Sequence, residues 1–252
     1  MRVAAIQHDI VWEDREANFQ RLEAPIRTAA AGGARLVVLT EMYSTGFSMN
    51  TDVTAEPVDG PSTVFLQQQA KEHGVWIGGS LPERTDDVLL PFNTFVLAGP
   101  QGEIERYRKI HPFTYSGEHE HFAAGEAFVT VEVEGIRVTP FICYDLRFAD
   151  EFWATAARTD CYVVPANWPE ARHHHWTALL QARAIENQAY VVGCNRVGDG
   201  GKLHYTGDSR IVDPMGEILA AGSGGETVLF ADVDAQRVQA TRERFPFSAD
   251  RR

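Results

Sequence analysis

The sequence predicts an α/β protein in which two sheets pack face to face with helices outside. Short apolar, β-branched runs alternate with helical patterns along the whole chain. Several of those runs are joined by tight Gly-centred turns: GPQG at 99–102, Glu134-Gly135, and DPMG at 213–216. A purely parallel winding would not use so many hairpins.

Val3–Gln7 reads as the first strand, and Arg15–Ala31 as an amphipathic helix closed by Gly32-Gly33. Arg35–Thr40 (RLVVLT) is a buried strand, Ser62–His73 a helix ended by Gly74, and Val75–Leu81 the strand that follows. Phe92–Ala98 and Glu103–Ile110 flank GPQG as β-prone runs, and Phe128–Val133 pairs with Ile136–Cys143 around Glu134-Gly135. The second half repeats the style with helix Ala149–Thr159, strand Cys161–Pro165, helix Arg172–Asn187 and strand Tyr190–Asn195. Ser209–Val212 and Glu217–Ala221 pair across DPMG, Thr227–Val233 is the last strand, and Gln236–Arg244 is a closing helix. With no linker, low-complexity tract or internal repeat, residues 1–252 are expected to form one domain.

Bulk properties exclude several classes. A formal net charge of -12 with no basic stripe argues against duplex nucleic acid and anionic lipid as partners. No run approaches ~18 consecutive apolar residues, so no membrane span is expected, and the acidic N-terminal stretch lacks a signal-peptide core. Three widely spaced cysteines, Cys143, Cys161 and Cys194, make neither a disulfide framework nor a zinc site, so a reducing cytoplasm is expected.

Three ionisable residues stand at the ends of apolar strands: Glu41 after RLVVLT, Lys109 after IERYR and Cys143 at the end of RVTPFIC. Ligand sites of α/β proteins gather beyond strand C-termini. Taken singly, each has an ordinary structural reading, as a loop acid, a surface lysine or a small buried hydrophobe. Together they suffice for acyl transfer. A thiol is mostly protonated near neutral pH and needs a base, which the glutamate supplies; the lysine stabilises the oxyanion formed on attack at an amide.

These residues lie in LTEMYSTGF, YRKIHPF and ICYDLRF, and on those motifs the chain resembles the carbon–nitrogen hydrolase (nitrilase) superfamily, from RVAAIQHDIVWED to RERFPF. EMYSTGF, KIHPF followed by EHEHFAAG, CYDLRF, ANWP, RAIENQAYVVGCNRVG and GDSRIVDP make it most similar to the omega-amidase branch. Pro112 and the HHH before Trp176 depart from the pattern without touching a triad position. The resemblance implies a four-layer αββα sandwich, a homodimer, no metal and no organic cofactor. It implies a small-molecule amide substrate, namely a 2-oxo dicarboxylic acid monoamide such as 2-oxoglutaramate. It further implies Glu41 as base, Lys109 as oxyanion cation, Cys143 as nucleophile forming a thioester, and Glu118 as a second active-site glutamate.

Around that centre, Tyr144 is expected to lend its backbone N–H to the oxyanion, and Asn167 and Trp168 to wall the pocket. Tyr43, Phe47 and Phe113 are further candidates for its lining. Arg147 has two readings: an anchor for a substrate carboxylate, which relatives imply, or a buried structural arginine paired with an acid. Nitrile hydrolysis, N-carbamoyl hydrolysis and non-catalytic binding are the rival functions. His173-His174-His175 cannot converge on one metal, since successive helical residues point ~100° apart, and solvated helix surface is expected. GDGG at 198–201 lacks a phosphate-loop pattern, and CYDLRF lacks the local signature of a papain-like Cys–His pair.

Overall fold

The computed structural model describes residues 1–250. The first half of the chain runs β1 (Arg2–Gln7), α1 (Arg15–Ala31), β2 (Leu36–Val38), α2 (Thr51–Thr54), β3 (Glu56–Pro57), α3 (Pro61–His73) and β4 (Trp76–Arg84). Next come β5 (Phe92–Ala98), β6 (Ile104–Arg108), α4 (Glu118–His121), β7 (Val131–Val133), β8 (Ile136–Pro140), α5 (Ala149–Thr155), β9 (Cys161–Ala166) and α6 (His173–Asn187). The remainder is β10 (Tyr190–Asn195), β11 (Val197–Gly200), β12 (Leu203–Thr206), β13 (Arg210–Val212), β14 (Ile218–Ala221), β15 (Thr227–Asp232) and α7 (Ala235–Arg244).

The first sheet has the order β15-β1-β2-β4-β5-β6 with β3 beside β4, and the second has β14-β13-β10-β9-β8-β7. In each, three central strands are parallel, β1, β2 and β4 in one and β8, β9 and β10 in the other; short β3 also runs parallel to β4, and the other strands are antiparallel to their neighbours. The period of two along a strand divides the core. Val3 and Ala5 of β1, with Leu36 and Val38 of β2, join Val138, Val163 and Val192 of the second sheet in one buried cluster. Ala4, Ile6 and Val37 turn the other way and meet Leu22 and Ile26 of α1 and Phe65 and Leu66 of α3. On the far side Phe152 of α5 and Trp176 and Leu180 of α6 cover the second sheet. The layers are therefore helix, sheet, sheet, helix.

Local chemistry sets the helix ends. Asp14 caps α1 by accepting from the Ala17 N–H at 3.0 Å, and α3 opens with Pro61 and stops at Gly74, which takes φ 64°. The strands RLVVLT and IERYRK are shorter than their apolar runs suggest, because the ends of both peel away to build a site. The predicted strand Ile136–Cys143 likewise ends at Pro140, and Phe128–Val133 pairs only from Val131. The sequence reading missed the β11–β12 hairpin, in which most of the GDGG stretch is strand β11 and Gly201-Lys202 make the tip. It is polar and Gly-rich, so no alternation announces it.

Gly193 of β10 marks where α6 approaches the second sheet most closely: a Cβ there would sit 2.5 Å from Leu180 Cδ1 and 3.0 Å from Trp176 Cζ2. Gly193→Ala is expected to lower unfolding free energy by about 1–3 kcal/mol through overpacking, read from urea denaturation. A variant as stable as the parent would show that this contact is slack.

Candidate active site

Past β2 the chain stays hydrogen-bonded to β4, with Leu39 N donating to Gly78 O at 2.7 Å and Tyr43 N to Ser80 O at 3.1 Å. Ser80 Oγ accepts from Met42 N at 2.9 Å, and Met42 takes φ 43°. This bend turns the fully buried Glu41 side chain toward the end of the second sheet. Asn167, next after β9, meets it there: its N–H donates to Glu41 Oε2 at 2.8 Å and its Nδ2 to Glu41 O at 2.6 Å.

Lys109 follows β6 and is held on both sides, its N–H donating to Asn93 O at 2.9 Å and its carbonyl accepting from Gly125 N at 2.7 Å. Only glycine fits at 125, since a Cβ would lie 2.2 Å from Arg108 O. The buried Lys109 Nζ donates to Glu41 Oε1 at 2.8 Å and to Glu118 Oε2 and Oε1 at 2.8 and 3.0 Å. Asn93 Nδ2 bridges the same two carboxylates, at 2.9 Å from Glu41 Oε1 and 3.1 Å from Glu118 Oε1. Glu118 opens α4, and its Oε2 also accepts from Phe113 N.

Cys143 does not end a strand; it begins a tight turn over Cys143–Arg147 with φ 46°. A side chain in this left-handed conformation costs on the order of 1–3 kcal/mol and needs surroundings that enforce it. Asp145 provides them. Its Oδ2 accepts from Ile142 N at 3.0 Å and from Tyr107 Oη at 2.8 Å, while Oδ1 accepts from His111 N at 2.9 Å. One buried carboxylate thus ties the cysteine turn to β6 and to the segment after Lys109.

Cys143 lies at the floor of a cavity of about 260 Å³ walled by Phe47, Phe113, Tyr144, Asn167 and Trp168. Glu41, Lys109 and Glu118 are buried behind it. The mouth is framed by Trp12, Met49 and Leu203 and carries two arginines, Arg147 and Arg172. Arg147 Cζ lies 4.7 Å from the Trp168 ring centroid and its Nη2 is 3.2 Å from His175 Nδ1, so the reading of Arg147 as a strut paired with an acid fails. Tyr43 is also displaced from its expected place: its hydroxyl donates to Ser62 O at 2.6 Å and its ring packs near Phe65 under α3. The histidine run is not simply solvated, since His173 Nδ1 lies 3.5 Å from Asp208 Oδ2.

The sequence reading missed Asn93, Asp145 and Arg172. Asp145 lies inside the cysteine motif and Arg172 beside the histidine run, so both were within sight; Asn93 had no signal, because its role exists only across strands.

The pattern of the family described as carbon-nitrogen hydrolase matches residues 2–243. The chain belongs to that family. This carbon-nitrogen hydrolase is 41% identical to an omega-amidase of Yersinia enterocolitica over 98% of this chain and 94% of the relative. It is 34% identical to a 2-oxoglutaramate amidase of Bacillus subtilis, over 98% and 96%. Among solved structures, a CN-hydrolase superfamily protein from Xanthomonas campestris, with an arsenic adduct in its active site, superposes with a TM-score of 0.94 at 36% identity, covering 100% of this chain and 97% of that one. A glutamate-to-glutamine mutant of an amidase from Nesterenkonia sp. AN1, showing the result of Michael addition of acrylamide at its active-site cysteine, gives 0.86 at 27% identity, covering 98% of each.

The charges of the hydrolase's buried centre set what it can do. Burial alone would depress the Lys109 pKa, but Glu118 and Glu41 outweigh it and hold the ammonium above its ordinary value. Burial pushes the Glu118 carboxyl up and Lys109 pulls it back, leaving it raised. The Cys143 thiol is pushed well above the ordinary range by burial and then by the Glu41 carboxylate, with Lys109 opposing. A protonated thiol beside a carboxylate is a donor–acceptor pair ready for proton transfer during bond formation.

The ultraviolet thiolate absorbance of the parent minus Cys143→Ala is accordingly expected to emerge only above pH 9.0, the ordinary thiol value. A thiolate already present at neutral pH would contradict the charge balance. Asp145→Asn, which turns an amide N–H toward groups that are themselves donors, is expected to cost about 2–4 kcal/mol in urea unfolding. It should also slow alkylation of Cys143 by iodoacetamide; unchanged stability and alkylation would remove Asp145 from its positioning role.

Proposed function

We propose that the protein is an omega-amidase, hydrolysing the terminal carboxamide of small 2-oxo dicarboxylic acid monoamides such as 2-oxoglutaramate and 2-oxosuccinamate. One observation carries the reading: Cys143 is the floor of a metabolite-sized cavity, with Glu41 and Lys109 behind it and arginines at the mouth. Likeness to an omega-amidase and a 2-oxoglutaramate amidase over nearly the full length of both supports it. The reactive cysteine of the Nesterenkonia amidase supports a nucleophilic role for Cys143.

In this route Cys143 Sγ bonds to the carboxamide carbon as Glu41 takes its proton. The carbonyl oxygen becomes an oxyanion, stabilised by the Lys109 ammonium and the Tyr144 N–H. Glu41 passes the proton to nitrogen, the C–N bond breaks, ammonia leaves and a thioester remains on Sγ. Water then attacks the acyl carbon while Glu41 accepts a proton from it; the C–S bond breaks and that proton returns to Sγ as the acid departs. Glu118 keeps Lys109 in place and charged, Arg147 holds the far carboxylate, and Phe113, Asn167 and Trp168 shape the walls. The balance closes on these side chains without a metal or organic cofactor.

On this reading the protein forms one domain and works as a homodimer in the cytoplasm. Trp153 of α5 and Ile185 of α6 are large apolar side chains exposed on the outer helical layer, with exposed Met215 in the turn whose Gly216 abuts Ile185. Cys143, Cys161 and Cys194 are all free, as suits a reducing compartment.

Ammonia release from 2-oxo monoamides is expected to exceed that from nitriles and N-carbamoyl compounds; the reverse order would replace this function with a rival of the same fold. Cys143→Ala or Glu41→Gln should lower kcat by roughly 10³-fold or more. Near-normal turnover by either variant would end the thioester route.

A further inference from the structure

The cavity is charged on one side only. Among its lining residues Arg147 and Arg172 are the only ions with fixed charge, and no carboxylate joins them. Among the described residues neither guanidinium forms an ion pair; each lies over aromatic rings instead. Arg147 Cζ is 4.7 Å from the Trp168 centroid and 6.0 Å from that of Tyr144, and Arg172 Cζ is 5.4 Å from Phe113 and 5.9 Å from Tyr115. Trp168 connects the pair: its ring underlies Arg147 and its Nε1 donates to Arg172 O at 2.8 Å. The Arg172 N–H donates to Pro169 O at 3.0 Å, so the backbone from which the guanidinium extends is fixed by the cavity wall. Arg172 also stands at the N-cap position of α6 without capping it, and the first turn of that helix has no acidic residue. Burial first, and then the repulsion of Arg172, lowers the Arg147 pKa from its ordinary value.

A carboxylate's two oxygens offer about four acceptor sites, and one planar guanidinium fork takes two of them, so a second guanidinium can engage the group beside the carboxylate as well. A 2-oxo acid presents a third acceptor beside the carboxylate, with no positive charge. A 2-ammonium acid presents donors and a positive charge at the same place, cancelling the attraction of its carboxylate and leaving two cations facing a third.

We propose that Arg172 is a specificity-determining residue: with Arg147 it forms a two-cation mouth that accepts a carboxylate flanked by an oxo group and rejects one flanked by an ammonium. This rests on the omega-amidase reading above and adds to it the residue that separates 2-oxo acid monoamides from glutamine and asparagine. Rejection is the larger part of the effect, because an unpaired cation site penalises the wrong ligand as well as holding the right one.

The test uses the full chain, with Arg172→Gln and Arg172→Lys compared with the parent. Ammonia release is followed from 2-oxoglutaramate, from succinamate, which lacks a 2-substituent, and from glutamine. Arg172→Gln is expected to lower kcat/KM for 2-oxoglutaramate by about 10- to 100-fold, chiefly through KM, and to lower that for succinamate less. The ratio of 2-oxoglutaramate to glutamine should fall by a similar factor, and Arg172→Lys, keeping the charge, should restore most of it. A ratio unchanged in Arg172→Gln, or equal losses on 2-oxoglutaramate and succinamate, overturns the assignment. Calorimetric binding of the product diacid, 2-oxoglutarate, to Cys143→Ala with and without Arg172→Gln gives a reading independent of turnover. About tenfold or more weakening supports the role, and equal affinity removes it. If the parent turns over only neutral amides or nitriles, the omega-amidase reading fails by itself, and the calorimetric comparison still decides what Arg172 binds.

Discussion

A lysine ammonium buried out of contact with water is the constraint on which the site depends. Lys109 is held there by two carboxylates, each 2.8 Å away; taking away both would leave a buried charge without compensation. Glu41 comes from the end of β2 and Glu118 from the start of α4, so the cation holds two separate segments at one point. Burial, with the neighbouring Glu41 carboxylate adding to it, keeps Cys143 protonated at rest. Glu41 is the carboxylate of the two whose second oxygen is held by the second sheet.

The charge then reverses across a few ångströms. Behind the thiol the surroundings are anionic; in front of it, at the cavity mouth, they are cationic. A chain of net charge -12 thus shows a positive patch at an opening that leads to its thiol. A cationic mouth of this kind favours the approach of an anionic ligand.

Much of this was legible in the residues. Two facing sheets with outer helices followed from alternating periodicities and hairpin turns. Glu41, Lys109 and Cys143 stood out because each ends an apolar run and because the three make a complete chemistry; Glu118 required resemblance to a family. What sequence could not supply was direction. Tyr43 follows the glutamate more closely than Phe47 does, yet it points to the helical layer because Met42, at φ 43°, turns the chain between Glu41 and Tyr43. The end of β8 was placed three residues late, since apolarity continues through Phe141 and Ile142 while Asp145, reaching back to the Ile142 N–H, bends the backbone away. Asn93 was invisible for a similar reason. Its meaning lies in bridging two carboxylates that are distant in the chain.

The Asp145 clamp has a further consequence for how the molecule fails. Its three donors come from Tyr107 and His111, on the side of the first sheet, and from Ile142, on the side of the second. Asn167 makes a comparable stitch in the opposite sense, from the second sheet to Glu41. The Cys143 turn and Glu41 are therefore each tied to both sheets, so a shift of one sheet against the other would displace both groups at once.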